Sequence, residues 1–120
     1  MPPPLGCDEV LFSDAADEAL AALQGDRAKE AASTVRRIAA IRFLLAADCQ
    51  AGEVIPLPLG KAAKPIEARN APLSNLYCVD LPAFWRLLYT IVRAEGRRYV
   101  VVLEIVDHRK YDKWFPNKGR

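Results

Sequence analysis

The sequence predicts an α+β fold in which an N-terminal helical hairpin packs on a small, mainly antiparallel β-sheet. Residues 14–52 hold two segments with apolar side chains at three- and four-residue steps. Residues 76–106 hold three short apolar or alternating runs, and their tight connections require antiparallel neighbours. Residues 9–12 form one more short run before the helices. The predicted order is β-α-α-β-β-β, followed by a short C-terminal helix.

Capping residues define the predicted helical hairpin. Ser13 is a good N-cap for the first helix, and Gly25 is a suitable residue to end it. Asp26 is expected to cap the second helix, which Gly52 stops. The apolar positions of the second helix are Ala31, Val35, Ile38, Ile41 and Leu45.

The next segment, residues 54–73, is predicted to be irregular because four prolines and Gly60 interrupt it. About twenty residues without regular structure is long for a compact domain, and such loops are often functional. The cations of this segment are Lys61, Lys64 and Arg69.

Three strands are predicted over residues 76–81, 85–92 and 99–106, with Gly96 in a hairpin turn between the last two. The final run, YVVVLEIV, is apolar on both faces, so we expect it to be a covered, central strand. The sequence DHRKYDKWFP then predicts a short amphipathic segment anchored by its aromatic residues.

The chain length of 120 residues fits one domain, predicted over residues 9–120. Residues 1–8, which include three consecutive prolines, are predicted to be a flexible arm. No apolar run approaches the ~18 residues that span a bilayer, and the first residues do not have the pattern of a secretory signal. We therefore expect a cytoplasmic protein without a membrane segment.

The three cysteines have no C-x-x-C spacing, which favours reduced thiols in the cytoplasm over a metal site or a disulfide. His108 is the only histidine, so a zinc site would need an unusual ligand set. We predict neither a metal nor a cofactor.

Charge is distributed unevenly along the chain. Residues 1–60 hold five Lys/Arg and nine Asp/Glu, whereas residues 61–120 hold twelve and six. The basic second half has the charge that a phosphate-binding surface needs, and the alternative is ordinary solvated charge.

The most apolar stretch, LPAFWRLLYTIV, contains one charged residue, Arg86. A guanidinium keeps its charge and must be exposed, paired or placed to meet an anion. Arg86 shares a strand face with Leu88, and we expect that face to be open, so that Arg86 can bind a phosphate there. The alternative is a salt bridge to Asp80 or Glu104 on a neighbouring strand.

Two segments resemble the RelE/ParE superfamily of toxins from type II toxin–antitoxin systems. LYCVDLPAFWRLLYTIV is similar to the family's strand pair with its W-R-x-x-Y motif, and VVLEIVDHRKYDKWF is similar to the final strand followed by H-R-x-Y. The resemblance covers roughly residues 9–115, and most of its specificity lies in the C-terminal part. It implies the same element order that the periodicity predicts.

The resemblance implies an endoribonuclease that cuts mRNA in the ribosomal A site. The 2′-hydroxyl attacks the adjacent phosphate and leaves a 2′,3′-cyclic phosphate, a reaction that needs cations and proton transfer but no metal. Arg86, Arg109 and Tyr111 match the family's motif positions, and His108 is of the residue type best suited to acid–base catalysis near neutral pH. Tyr111 as a core anchor and His108 as a structural residue remain alternatives. Lys61, Lys64 and Arg69 are candidate RNA-binding residues; as loop cations, they could equally be only solvated.

The partners implied are a cognate antitoxin, the ribosome and mRNA. Asp107 and Asp112 lie beside the terminal motif, where they would repel RNA phosphate. The alternative is therefore a non-enzymatic, ParE-like inhibitor of DNA gyrase or an inactive toxin-like binding module.

Overall fold

The structure is a computed structural model and describes residues 5–70 and 73–116. It has the predicted α+β class, with four α-helices and five strands in its described part, and the predicted order with one short strand and one short helix added after the helical hairpin. The elements are β1 (Glu9–Phe12), α1 (Asp14–Gln24), α2 (Lys29–Ala47), β2 (Glu53–Val54), α3 (Lys64–Asn70), β3 (Tyr77–Leu81), β4 (Trp85–Ala94), β5 (Arg97–Asp107) and α4 (His108–Trp114). Short 3-10 turns cover Lys61–Ala63 and Pro82–Phe84.

The five strands form one mixed sheet in the order β1-β5-β4-β3-β2. β1 is parallel to β5, and the other neighbours are antiparallel. Glu95 and Gly96 connect β4 to β5, both with positive φ (53° and 76°), as a tight two-residue hairpin turn requires. β5 lies between β1 and β4, which confirms that the final apolar run is an internal strand.

The helical hairpin covers one face of the sheet. α1 begins as predicted: the Ser13 hydroxyl accepts a hydrogen bond from the Ala16 N–H at 3.1 Å. The same hydroxyl donates to the Leu103 carbonyl at 2.7 Å and so attaches the helix start to β5. α2 begins later than expected, at Lys29, because Asp26 accepts from the Ala28 N–H in the connection instead of capping the helix.

The opposite face of the sheet is also covered, contrary to the expectation of an open face. Residues 61–70, predicted to be irregular, form a 3-10 turn and α3. Pro65 is in the first turn of α3, where proline needs no hydrogen-bond donor, and Ile66 points into the core. The core on this side contains Ile55, Leu59, Ala63, Ile66, Leu76, Cys78, Leu88, Leu103, Val106, Tyr111 and Trp114.

Part of the predicted flexible arm is attached to the domain. The Cys7 N–H donates to the Ala46 carbonyl at 2.9 Å, and the Leu5 carbonyl accepts from the Cys49 N–H at 2.7 Å. The Asp8 N–H donates to the Arg98 carbonyl at 2.7 Å. Residues 5–8 are therefore held between the end of α2 and the start of β5, where their backbone groups find partners. The rest of the arm, residues 1–4, lies outside the described residues.

Candidate nucleic-acid interface

Arg86 is the second residue of β4 and is paired with a carboxylate. Its Nε lies 3.1 Å from Oδ1 of Asp80, its cross-strand neighbour on β3. Its guanidinium carbon lies 5.4 Å from the centre of the Tyr111 ring on α4, within the range of a cation–π contact. The salt bridge to Asp80 is one of the two arrangements that the sequence allowed, and phosphate binding by Arg86 stays a prediction.

The surroundings of Arg86 differ from the open face that the sequence predicts. Leu88, two residues farther along the same face, is buried against the layer formed by α3 and α4. The Arg86 side chain is 26% exposed and that of Asp80 is 75% exposed. Arg86 therefore lies at the rim of a covered face and reaches solvent beside Asp80. This position explains why an apolar strand accepts a charge at its start.

Tyr111 lies in the core between α4 and the sheet. Burial raises the pKa of its phenol well above the usual range, and the neighbouring Cys78 raises this pKa further. Burial also raises the pKa of the Cys78 thiol, to about 11. Tyr111 is thus protonated near neutral pH and can donate a hydrogen bond, but it is a poor general base.

His108 is the first residue of α4 and is exposed. Its ring packs edge-on to that of Phe84 at a centroid distance of 5.6 Å, and Phe84 is itself largely exposed. Asp107, the residue before it, is the N-cap of α4 and accepts from the Lys110 N–H at 3.0 Å. Of the candidate groups for proton transfer, His108 faces solvent and Tyr111 does not.

A basic groove runs along the outer side of α4, where it borders Ala62 and Pro65. Its volume is about 680 Å³. The cations of this groove are Arg109, Lys110 and Lys113, and Asp107 is the acid that lines it. The Lys110 ammonium lies 5.2 Å from the centre of the Trp114 ring. The groove combines exposed cations with an aromatic wall, a combination that suits a nucleic-acid backbone.

The three cations predicted to bind RNA have different surroundings. Lys61 is exposed on the 3-10 turn that leads into α3. Lys64 pairs with Glu67 at 3.1 Å on the surface of α3. Arg69 forms an ion pair with Glu104, a buried residue of β5. The structure therefore gives Arg69 a neutralising partner in the fold and leaves Lys61 exposed near the basic groove.

The sequence reasoning missed Lys110, Lys113 and Trp114 as components of this surface. Helical spacing was the signal that could have identified them. In α4, Tyr111 and Trp114 are buried at a three-residue step, so the lysines between and before them point outward.

No group of three or more His, Cys, Asp or Glu residues is arranged to hold a metal ion in the described ranges 5–70 and 73–116. Among these residues, none of the helices has the length and apolar character needed to cross a bilayer. Searches of protein-family models, curated proteins and solved structures found nothing that matches this chain.

Proposed function

We propose that this chain is a RelE-like toxin that cleaves mRNA on the ribosome and is neutralised in the cytoplasm by a cognate antitoxin. The observation that carries the proposal is the contact between Arg86 and Tyr111. These residues belong to the two motifs on which the resemblance rests, and they are separated in sequence by two strands. Their meeting at one rim, on the helix that also carries the cations of the basic groove, supports a common role for the two motifs.

In the proposed reaction, the 2′-oxygen of the RNA forms a bond to the adjacent phosphorus while the bond from phosphorus to the 5′-oxygen breaks. Charge develops on the phosphate oxygens in the transition state, where nearby cations stabilise it. Arg86 and Arg109 are the guanidinium groups assigned to these oxygens, since a planar fork suits phosphate. Lys110 and Lys113 hold the flanking backbone.

Proton transfer is assigned to His108 because its ring is exposed at the start of α4. It accepts the proton of the 2′-hydroxyl, and a water or the protonated imidazole supplies a proton to the departing 5′-oxygen. The buried, protonated Tyr111 is assigned a positioning role: its ring holds the Arg86 guanidinium at the rim.

A ParE-like inhibitor of DNA gyrase, or an inactive toxin-like binding module, is the second candidate. Two of the four predicted catalytic groups favour it: Arg86 is paired with Asp80, and Tyr111 is buried, so neither is free to act on RNA. Inhibition of supercoiling by purified gyrase would distinguish this candidate from the nuclease.

The test incubates the purified chain with programmed ribosomes, maps the mRNA ends and assays for a 2′,3′-cyclic phosphate. Arg86→Ala and Asp80→Asn form the matched pair of variants. Both remove the same salt bridge, and the exposed Asp80 loses little on becoming unpaired. If Arg86 binds phosphate, Arg86→Ala abolishes cleavage, whereas Asp80→Asn retains or increases it.

Equal loss of cleavage in both variants would show that the salt bridge acts only on the structure. Arg86 would then not be a phosphate-binding residue. No cleavage by the folded, antitoxin-free protein, over a set of codons, would overturn the nuclease proposal and favour the second candidate.

A further inference from the structure

The turn between β3 and β4 holds two residues in a backbone conformation that is unusual for them. Ala83 and Phe84 have φ values of 60° and 64°, in the left-handed region that glycine adopts readily and that a residue with a Cβ adopts at a cost. A bulky aromatic residue is rarely found there. Such positions persist only where the surrounding structure fixes them, and they cluster at functional sites.

Hydrogen bonds from two elements fix this turn. The Trp85 N–H donates to the Pro82 carbonyl and closes the turn at the start of β4. The buried Thr34 hydroxyl of α2 is shared between the carbonyls of Glu30 and Pro82, at 2.8 and 3.1 Å. The conformation of the turn is therefore set by its attachment to α2 and β4.

The turn places the Phe84 ring outside the core. Phe84 is 70% exposed, and it belongs to neither of the two apolar cores that the described residues form. A phenylalanine ordinarily stabilises a fold by burying its large ring. Neither the backbone conformation nor the burial of apolar surface therefore accounts for an aromatic residue at this position.

Residues of the candidate nucleic-acid interface lie next to this exposed ring. The rings of Phe84 and His108 are 5.6 Å apart, with an angle of 64° between their planes. Arg86 follows two residues later, and two residues of chain span at most about 7 Å. Arg109, the exposed neighbour of His108, is on the first turn of α4. The ring thus lies beside the histidine and the arginine that the proposed function assigns to the reacting phosphate.

We infer that the exposed Phe84 ring stacks on a nucleobase of the RNA, next to the phosphate assigned to Arg86. This inference rests on the proposed function, since it takes RNA as the ligand, and it gives Phe84 the contact with the base at the cleavage site. An aromatic face accepts every base and favours those that stack most strongly. A purine, which has the larger ring system, should therefore bind more tightly than a pyrimidine.

An apolar protein segment or a bilayer is a less suitable ligand for this ring. Both need a contiguous apolar area. The exposed residues at the adjoining ends of β3 and α4 include Asp80, His108 and Arg109, which are polar or charged. A nucleobase needs only one aromatic face and a cation that holds its phosphate.

The experiment uses the full chain and short single-stranded RNAs whose central nucleotide lacks the 2′-hydroxyl, so that the proposed reaction cannot occur there. The central base is 2-aminopurine, uracil or absent. Anisotropy of an end label measures affinity, and quenching of the 2-aminopurine fluorescence measures stacking. We expect the 2-aminopurine RNA to be quenched and to bind about tenfold more tightly than the abasic RNA, with the uracil RNA between them.

Variants of the turn separate the ring from the backbone strain. Phe84→Gly should abolish the preference for the 2-aminopurine RNA over the abasic RNA without lowering Tm, because glycine accepts the positive φ. Ala83→Gly, the matched control, relieves strain in the same turn but keeps the ring, so it should retain the full preference. Phe84→Leu keeps apolar bulk without an aromatic face and should lose the preference, which tests the inference even if the glycine variant does not fold.

A ring that serves only to pack on His108 would give other results. A lower Tm in Phe84→Gly with unchanged base preference would overturn the inference, and so would equal weakening of the 2-aminopurine and abasic RNAs. Absence of RNA binding by the folded protein would also overturn it and would favour a protein ligand for the ring.

The outcome can be separated from that of the cleavage assay. Base-dependent binding that requires Phe84, without cleavage of mRNA on ribosomes, would support this inference and contradict the proposed function. Ribosome-dependent cleavage together with a base preference that Phe84→Gly and Phe84→Leu leave unchanged would support the proposed function and overturn this inference.

Discussion

Arg69 on α3 forms an ion pair with Glu104, a buried acid at the centre of β5. The two residues are 35 positions apart in the sequence, and their contact joins α3 to the sheet. The Arg69 guanidinium also lies 5.9 Å from the centre of the Trp114 ring, so one side chain connects α3, α4 and β5. A buried carboxylate is costly without such a partner.

Removal of Arg69 should therefore destabilise the fold. We expect Arg69→Ala to lower the free energy of unfolding by about 2 kcal/mol, because it leaves Glu104 buried and unpaired. Urea unfolding of Arg69→Ala and of the double variant with Glu104→Gln measures the effect. The double variant should recover part of the loss, since a neutral amide is less costly to bury.

Lys64→Ala provides the control for Arg69→Ala. It breaks the exposed pair with Glu67 and should change the free energy of unfolding by less than about 0.5 kcal/mol. A loss in Arg69→Ala no larger than that of Lys64→Ala would show that solvent already stabilises Glu104.

Gly52 lies against the buried Tyr89. A Cβ at this position would be 2.8 Å from the Tyr89 hydroxyl oxygen and 3.0 Å from the Cys78 carbonyl oxygen. Tyr89 cannot move easily, because its hydroxyl accepts from the Gly52 N–H and donates to the Cys49 carbonyl. We expect Gly52→Ala to cost about 2 kcal/mol of unfolding free energy, measured by urea titration.

Gly60→Ala is the matched control, because no heavy atom lies within 4 Å of its added Cβ. It should leave the free energy of unfolding nearly unchanged. Equal stability of the two variants would mean that the connection after α2 shifts to make room for the methyl group.

High pH should destabilise the protein. Burial raises the pKa of Cys78 from 9.0 to about 11 and also raises the pKa values of the Tyr89 and Tyr111 phenols. Above pH 9 the unfolded chain releases the Cys78 proton while the folded chain retains it, so the unfolded state binds fewer protons. The free energy of unfolding should therefore fall as pH rises from 9 to 11, by about 2 kcal/mol for Cys78.

Urea unfolding at pH 8, 9.5 and 10.5 measures this slope, with Cys78→Val as the comparison. The variant should show a shallower decline over the same interval. Parallel declines in the two proteins would assign the effect to other groups.

The basic groove of α4 should bind RNA through its phosphates. Arg109→Ala is expected to weaken binding of a single-stranded RNA and to reduce the dependence of log affinity on log salt concentration by about 0.7. Fluorescence anisotropy over a range of salt concentrations gives both quantities. Arg93→Ala, at the far end of β4, is the control with the same loss of charge. Equal effects of the two variants would indicate diffuse attraction by net charge without a defined groove.

The sequence by itself determined the elements whose signals are local. The Ser13 cap needs one hydroxyl three residues before an N–H, and the turn at Gly96 needs a short segment that accepts positive φ. Periodicity predicted the helical hairpin and the three main strands, and their order is confirmed. The prolines of residues 54–73, by contrast, wrongly indicated a continuous irregular segment, because Pro65 lies where a helix tolerates it.

Only the tertiary structure decided which groups at the candidate site are paired, buried or free. Arg69 and Glu104 meet because α3 folds over the sheet, and Tyr111 is buried by the same layer. Arg86 had two compatible carboxylates in the sequence, and strand register selected Asp80. Local patterns specify backbone conformation, whereas the partner of a side chain depends on residues brought together by the packing of distant segments. For this reason the fold was predictable from the sequence, but the surroundings of each candidate residue were not.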